Sequence, residues 1–539
     1  MARLAAIDIG SNAFRLRIVE VDPPVMTAQG PRFLPFRDVL LDRAAVRLGH
    51  DVFTKGRIET GVIGAACEAL RRFRTAMDVA KVDRYRAVAT SAAREAANGD
   101  VFVERAEREA GVHVEVIEGV EEARLVQIAV TERVSLGSRA ALLVDVGGGS
   151  TELTLLQGER NVYSQSCPIG TVRLTESFLE GGQPVDQPHR KLIEEYVDRA
   201  IADAVADISE AATGPIDLLV GTGGNIETLA DLCPLPKAFP EGRAIDVTAM
   251  GRLLDDLCKR TVEERVSAYN LRPDRADTII PAATVLTRVA GAFGFQGIAA
   301  PGVGLKEGVL VDLARSHFMP ADYGGTTAAI TDACLRLGRR YHFDEQHGLL
   351  VARFAARLFD DLQPRHKLGP RDRILLTAAA MLHDVGDFIR YEGHHKHSYY
   401  LIAHSDLMGL SPLERELVAN IARYHRKSPP SLEHENFRAL SREDRGKVKA
   451  LSAILRIADA LDREHRAKIR DITTRVDGDT LVIEAHGSED RTLEEWTVFA
   501  KSGMLRESMG LDVRIASDGA PRSTGPGSRR SKTPIPPAS

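Results

Sequence analysis

Ala141-Leu-Leu-Val-Asp-Val-Gly-Gly-Gly-Ser-Thr-Glu152 decides the fold of this chain. An apolar run ends on Asp145 and Val146, a glycine turn follows, and a second run, Glu152–Leu156, leaves the turn. Short apolar runs bounded by glycine read as buried strands. The pattern recurs at Leu4-Ala-Ala-Ile-Asp-Ile-Gly-Ser-Asn12, followed by the strand-like Arg15–Val21. Each copy lies early in its half of the first three hundred residues or so. The simplest reading is two related α/β lobes, each opening on a hairpin with a strand–Asp–x–Gly turn.

Outward from these hairpins, Tyr85–Thr90, His113–Ile117 and Asp217–Val220 read as further strands, and Ile58–Arg74 and Ala92–Ala110 as helices. Such alternation indicates an α/β architecture. Beyond residue 315 or so helical spacing dominates, from Thr326 to His465. His347, Leu350, Val351, Phe354 and Leu358 share one face of a helix over Asp344–Leu362. Ser411-Pro412-Leu413-Glu414 is a capping box, and Ser441 with Asp444 marks a second helix start. A hairpin over Asp471–Ala485 turning at Gly478, a helix over Leu493–Met509 and a strand over Leu511–Ile515 follow. The tail from Ser517 is rich in Gly, Pro, Ser and Arg and is expected to be disordered. The expected domains are residues 1–130 and 131–315 (two lobes), 316–470 (helical), 471–516 (a small α/β end) and 517–539 (tail).

The chain has 539 residues, 44% hydrophobic and 27% charged, with a formal net charge of -5. No overall basic field is available to draw in nucleic acid, so any polyanion site must be local. Cys67, Cys167, Cys233, Cys258 and Cys334 are scattered and form no CxxC, which argues against disulfides and zinc and suits a reducing cytoplasm. The longest apolar stretch, Pro281–Ala300, is interrupted by Arg288 and Gln296, so no membrane span is expected.

Glycine turns let backbone N–H groups approach an anion. Gly147, Gly148, Gly149, Ser150 and Thr151 form one such cluster, and Gly10, Ser11 and Asn12 a second. Gly221, Thr222, Gly223 and Gly224, with Asn225, form a third, read as opening a helix. None is a Walker loop, since no Gly-Lys-[Ser/Thr] follows. Asp8 and Asp145 stand at matching places before their turns. A carboxylate beside a phosphate cradle repels the ligand unless a cation lies between them, and Mg²⁺ fills that role.

These motifs resemble those of the exopolyphosphatase/guanosine-pentaphosphate phosphatase (Ppx/GppA) family. The resemblance rests on Asp8-Ile-Gly-Ser-Asn12, Thr90-Ser-Ala-Ala-Arg94, Glu118-Gly-Val-Glu-Glu-Ala-Arg124, Asp145-Val-Gly-Gly-Gly-Ser-Thr-Glu152, Gly221-Thr-Gly-Gly224 and Gly302-Val-Gly-Leu-Lys-Glu-Gly308, in order. It implies an actin-like, two-lobed fold and Mg²⁺- or Mn²⁺-dependent hydrolysis of a terminal phosphoanhydride in inorganic polyphosphate or guanosine pentaphosphate. It implies Glu122 as the base that activates water, with Glu121 the alternative. A carboxylate suits that task because the attacking water must be both positioned and deprotonated. Arg94 is a candidate for stabilising the developing charge. Arg124 is read as a structural partner of a carboxylate, and Glu152 as sharing metal or water with Asp145. Lys306 stands where the family often has arginine. A homodimer is also implied.

In the helical region His347, His383, Asp384, His397, His425 and Asp459 resemble the metal-binding set of the HD phosphohydrolase superfamily, with His394, His395 and His404 as alternatives to His397. An HD-like domain with a second divalent metal is therefore expected. A basic stripe (Arg365, Lys367, Arg371, Arg373, Arg390, Lys396, Arg423, Arg426, Lys427 and Arg463–Arg470) reads equally as a polyphosphate track or a solvated surface. Three rivals stand beside the exopolyphosphatase reading: an ATP-dependent kinase, a sensor of guanosine pentaphosphate or tetraphosphate, and hydrolysis by the HD-like domain.

Overall fold

In the computed structural model the described residues are 1–27, 30–179, 182–235, 243–319, 324–405, 407–487 and 490–516. The expectation of a disordered tail falls on residues outside them. The chain divides into two compact units, residues 1–333 with the short segment 406–413, and residues 334–405 with the chain from 414 onward. The division lies within the helix Gly324–Arg340.

Among the described residues the first unit holds two large sheets built on one plan, beside a two-stranded pair of Val25–Thr27 and Gly30–Arg32. In one, Ala2–Ile9 pairs antiparallel with Phe14–Val21, which pairs antiparallel with Arg37–Ala44. On its other side Ala2–Ile9 runs parallel to Arg84–Ala89, and that strand parallel to Val114–Val116. In the other, Ala140–Val146 pairs antiparallel with Thr151–Gln157 and that strand with Arg160–Cys167, while Leu218–Gly223 and then Gly297–Ala299 follow in parallel. A short antiparallel strand, Ala244–Asp246, closes the edge. The two central strands are buried along nearly their whole length, which is why they read as apolar runs instead of alternating ones. The stretch Pro281–Ala300 becomes the end of the helix Pro273–Ala292, buried in the core of the second sheet, and the strand Gly297–Ala299.

Two expected helices are broken. Ala92–Ala110 splits into Ser91–Glu95 and Gly99–Ala110. Asn98 leaves the helix to bond both backbone groups of Ile58, at 2.9 Å each. A side chain at Gly99 would lie 2.2 Å from the Ala93 carbonyl oxygen. Leu493–Met509 likewise divides into Thr492–Lys501 and Gly503–Met509.

The second unit packs the helices Glu345–His366, Pro370–Leu382 and Arg442–Ala460 together. The Ser441 hydroxyl accepts from the Asp444 amide at 3.1 Å, as the cap reading requires. Ile469–Asp477 and Thr480–Gly487 form the expected hairpin, and Asp512–Ala516 joins it in parallel. Among the described residues no helix is long and apolar enough to cross a membrane, and all five cysteines are buried and unpaired.

Candidate active site: an acidic cleft between two glycine turns

The turns of the two hairpins meet. Gly10 N–H donates to the Ala13 carbonyl at 3.2 Å, and Gly147 N–H to the Ser150 carbonyl at 3.0 Å, so these two amides close their own turns. The carbonyls of Gly147 and Gly148 accept from Thr171 and Val172, at 2.9 and 2.8 Å. In a trans peptide the following N–H points the opposite way. The amides of Gly148 and Gly149 are thus turned from the helix Thr171–Phe178 and have no partner among the described residues. The glycines also permit contact between the hairpins. A Cβ at Gly148 would lie 2.9 Å from Ser11 Cβ, and one at Gly149 would lie 2.2 Å from Ser91 Oγ.

A cleft of about 170 Å³ opens there, lined by Asp8, Gly10, Ser11, Asn12, Glu122, Asp145, Gly147, Gly148, Gly223 and Gly224 of the expected residues. Arg15, Asn225, Arg275 and Lys306 line it too. Glu122 arrives on the first turn of the buried helix Gly119–Arg133. One oxygen each of Glu122, Asp145 and Glu152 lies within 4.8 Å of the others. Asp145 accepts from Thr222 Oγ1 at 2.7 Å and Glu152 from Ser166 Oγ at 2.8 Å. The Oε2 atoms of Glu122 and Glu152 are buried without a hydrogen-bond partner.

Burial, followed by repulsion from Glu152 and Asp145, pushes the Glu122 carboxyl well above the usual carboxylate range, and the charge of Arg94 works against that rise. Burial also lifts Asp145 to about 6, against the hydrogen bond from Thr222. Burial and Asp145 lift Glu152 to about 7. Three crowded carboxylates, two of them with an unpartnered oxygen, are a fitting donor set for a hard divalent cation, which takes oxygen ligands and would relieve their repulsion.

Several expected residues are placed otherwise. Glu121 does not line the cleft. Arg124 holds its carboxylate at 2.7 and 2.8 Å and Arg86 at 3.1 Å, while Arg124 also reaches Asp312 at 3.1 Å. Consecutive helical residues lie about 100° apart, so Glu121 and Glu122 cannot share a direction. Arg94 also stands off the cleft lining, donating to the Ile117 carbonyl at 2.6 Å. Gly221, Thr222 and Gly223 belong to the strand Leu218–Gly223, and the helix begins only at Ile226. The third cluster thus begins as strand and opens the helix only through Gly224 and Asn225, its N-cap. Thr222 orients Asp145, and Gly223, at φ 107°, brings the chain against Val146. Gly149, Ser150 and Thr151 lie outside the cleft lining, with the Thr151 hydroxyl spent on the Ile169 carbonyl at 2.9 Å.

Sequence reasoning missed Arg15 and Arg275. Arg15 Nη1 pairs with Asp8 Oδ2 at 2.9 Å, directly opposite it in the hairpin register, a signal that pairing the two strands on paper would have exposed. The Arg275 guanidinium has no hydrogen-bond or ion-pair partner among the described residues. Burial first, then the charges of Arg15 and Arg272, bring its guanidinium down to about 10.

In the second unit His347, His383, Asp384, His425 and Asp459 come together, while His397 does not join them. His394, one helical turn earlier, takes its place. His404 stands outside the cluster, its ring bonding the Tyr400 carbonyl at 2.9 Å. His395 Nδ1 is buried without a partner and is outside the cluster. Much of the basic stripe is neutralised locally. Arg371 pairs with Glu414, Arg373 with Asp360, Arg390 with Glu392 and Arg365 with Asp479.

The profile of the Ppx/GppA phosphatase family matches residues 26–317, and that of Ppx/GppA phosphatase, domain III, matches residues 331–508. The chain belongs to the Ppx/GppA phosphatase family. A guanosine-5'-triphosphate,3'-diphosphate pyrophosphatase of Vibrio vulnificus is 27% identical over 494 residues, covering 91% of this chain and 93% of its own. One from Photobacterium profundum is 26% identical, covering 83% and 84%. The crystal structure of an exopolyphosphatase from Cytophaga hutchinsonii is 28% identical and covers 58% of this chain and 98% of its own, with a TM-score of 0.50. The Ppx/GppA fold is the two-lobed actin-like one, here followed by a helical domain.

Proposed function

We propose that this chain hydrolyses the terminal phosphoanhydride of inorganic polyphosphate or of guanosine pentaphosphate, with Glu122 as the general base. The observation that carries this reading is a buried carboxylate with an unpartnered oxygen, set in a cleft that two glycine turns line from opposite lobes. The unpartnered amide of Gly148, with those of Ser11 and Asn12, offers donors to phosphate oxygens. Arg15, Arg275 and Lys306 offset the substrate's charge from the cleft wall. Glu122 holds a water and takes its proton as the water oxygen bonds to the terminal phosphorus. The bond from that phosphorus to the bridging oxygen breaks, and the shortened chain leaves with the electron pair.

With Glu122 kept as the base, Asp145 and Glu152 of the acidic cluster, together with Asp8 on the same cleft wall, are the residues that would hold Mg²⁺, which when bound would neutralise phosphate oxygens. A raised Glu122 suits a base that must hold its proton after transfer, and Arg94 tempers the rise. We assign residues 1–130 and 131–315 to the lobes whose closure shuts out bulk water. A cytoplasmic setting accords with five unpaired cysteines.

Phosphate release from long-chain polyphosphate and from guanosine pentaphosphate, each with Mg²⁺, tests the proposal against phosphate transfer from ATP to an acceptor. Release from at least one of the first two, without ATP, is expected. Turnover confined to ATP with an acceptor would overturn it.

A further inference from the structure

The second glycine turn is gripped from behind. Thr171 N–H donates to the Gly147 carbonyl at 2.9 Å, and the amides of Val172 and Arg173 donate to the Gly148 carbonyl at 2.8 and 3.1 Å. Gly170 N–H reaches the Gly149 carbonyl at 3.2 Å. The start of the helix Thr171–Phe178 thus takes three successive carbonyls of the turn. Gly149 is also held by a side chain, for Arg173 Nε donates to its carbonyl at 2.8 Å.

Arg173 is itself held from the other half of the unit. Its Nη2 lies 2.6 and 2.7 Å from the two oxygens of Glu95, on the helix Ser91–Glu95. Its guanidinium carbon stands 4.2 Å from the centre of the Phe53 ring, on the helix Leu48–Lys55. Both of these helices pack into the core of the first sheet, whereas Thr171–Phe178 packs into that of the second. Carbonyl, carboxylate and ring together use the edges and a face of one planar cation, a combination open to arginine and not to lysine. The helix Ser91–Glu95 reaches the rest of the site as well. Ser91 Oγ lies 3.2 Å from Ser11 Oγ of the first turn, and Arg94 Nη1 donates to the Ile117 carbonyl just before the helix that carries Glu122.

We propose that Arg173 is a positioning residue for the phosphate cradle and that Glu95 holds it in place. By clamping the Gly149 carbonyl against the helix start, Arg173 keeps the turn in the pose that leaves the Gly148 amide free for a phosphate oxygen. Neither Arg173 nor Glu95 is among the residues lining the cleft, so their effect on a ligand passes through the turn. The pair joins the two halves of the unit at the point where the second turn meets the first, and cradle geometry thereby depends on contact between the halves. The inference rests on the reading of the cleft as a phosphate site.

The test is calorimetric binding of tripolyphosphate with Mg²⁺ to full-length Glu122→Gln protein, in which turnover does not intrude. Adding Arg173→Ala is expected to raise Kd about tenfold, the loss of roughly one hydrogen bond to a charged group. Millimolar guanidinium chloride, and not ammonium chloride at the same concentration, should restore Kd, because the free cation fits between Glu95, Phe53 and Gly149. Glu95→Gln, a change to a side chain 40% exposed, should raise Kd about threefold and add nothing in the Arg173→Ala protein. A smaller folded fraction lowers the number of sites in such a titration but leaves Kd unchanged, so a merely structural role moves neither Kd nor its rescue. Without ligand, amide exchange at Thr171 and Val172 should quicken in Arg173→Ala and slow again with guanidinium. An unchanged Kd in both variants, or a loss that ammonium restores as well as guanidinium does, would overturn the proposal. Absence of phosphate release alongside these shifts would count against the hydrolase reading alone.

Discussion

The two hairpins of the first unit have the same build and opposite electrostatics. In the first, Asp8 stands across the strand pair from Arg15, and the two form an ion pair. In the second, the residue across from Asp145 is Glu152, and Glu122 joins them from a neighbouring helix. The parallel neighbour differs too. Val88 lies beside Asp8, whereas Thr222 lies beside Asp145 and bonds it. One copy of the motif is neutralised internally, and the other concentrates buried negative charge that only protons or a cation can relieve. The two turns share one build, and a change of one cross-strand partner separates a neutralised half from an acidic one.

Removing charge from the second hairpin should have the largest effect. Asp145→Asn is expected to weaken apparent Mg²⁺ affinity in the phosphatase assay by at least ~100-fold, beyond the loss usual for outer-shell partners. Equal metal dependence in the variant would make the two hairpins alike. The same cluster sets a pH dependence in the metal-free protein. Asp145 at about 6, Glu152 at about 7 and the raised Glu122 all bind protons more tightly folded than unfolded, where carboxylates titrate near ~4. Their contribution is therefore favourable at low pH and is lost as pH rises through that window. In chelator, the melting temperature of the first unit should fall between about pH 5 and pH 8. Asp145→Asn should flatten that fall and Mg²⁺ reverse it, whereas a rise over the same range would contradict the assignment. A smaller effect concerns contact between the turns. Gly149→Ala places a methyl group 2.2 Å from Ser91 Oγ and should cost about 1–3 kcal/mol of stability by denaturant titration. No cost would mean that the turns do not pack as described.

Much of this was legible in the sequence. Central strands buried on both faces leave apolar runs, so both hairpins and their repeat could be read at Leu4–Asn12 and Ala141–Glu152. Glu122 was reached through motif resemblance, and the arginine partners that hold Glu121, Arg124 and Arg86, supply the physical reason that it is not the equal of Glu122. What stayed hidden depends on contacts distant in sequence. Gly221 and Thr222 look like a loop, yet they extend a strand by pairing with Val144 and Asp145, and a side chain at Gly221 would run into Ile226 and Ile298. His394, His395 and His397 crowd one short stretch and cannot be ranked as ligands without the helix start, which Gly393 sets at His394. Lys501, far along the chain from Asp459, gives no sequence signal of pairing with it.

The most direct measurement is kcat for phosphate release from long-chain polyphosphate at saturating Mg²⁺, for wild type, Glu122→Gln and Glu121→Gln. We expect Glu122→Gln to lower kcat about 10²- to 10⁴-fold, and Glu121→Gln, where folded, to keep it near the wild-type value. Wild-type kcat in Glu122→Gln, or its collapse in a folded Glu121→Gln, would contradict the assignment of the base.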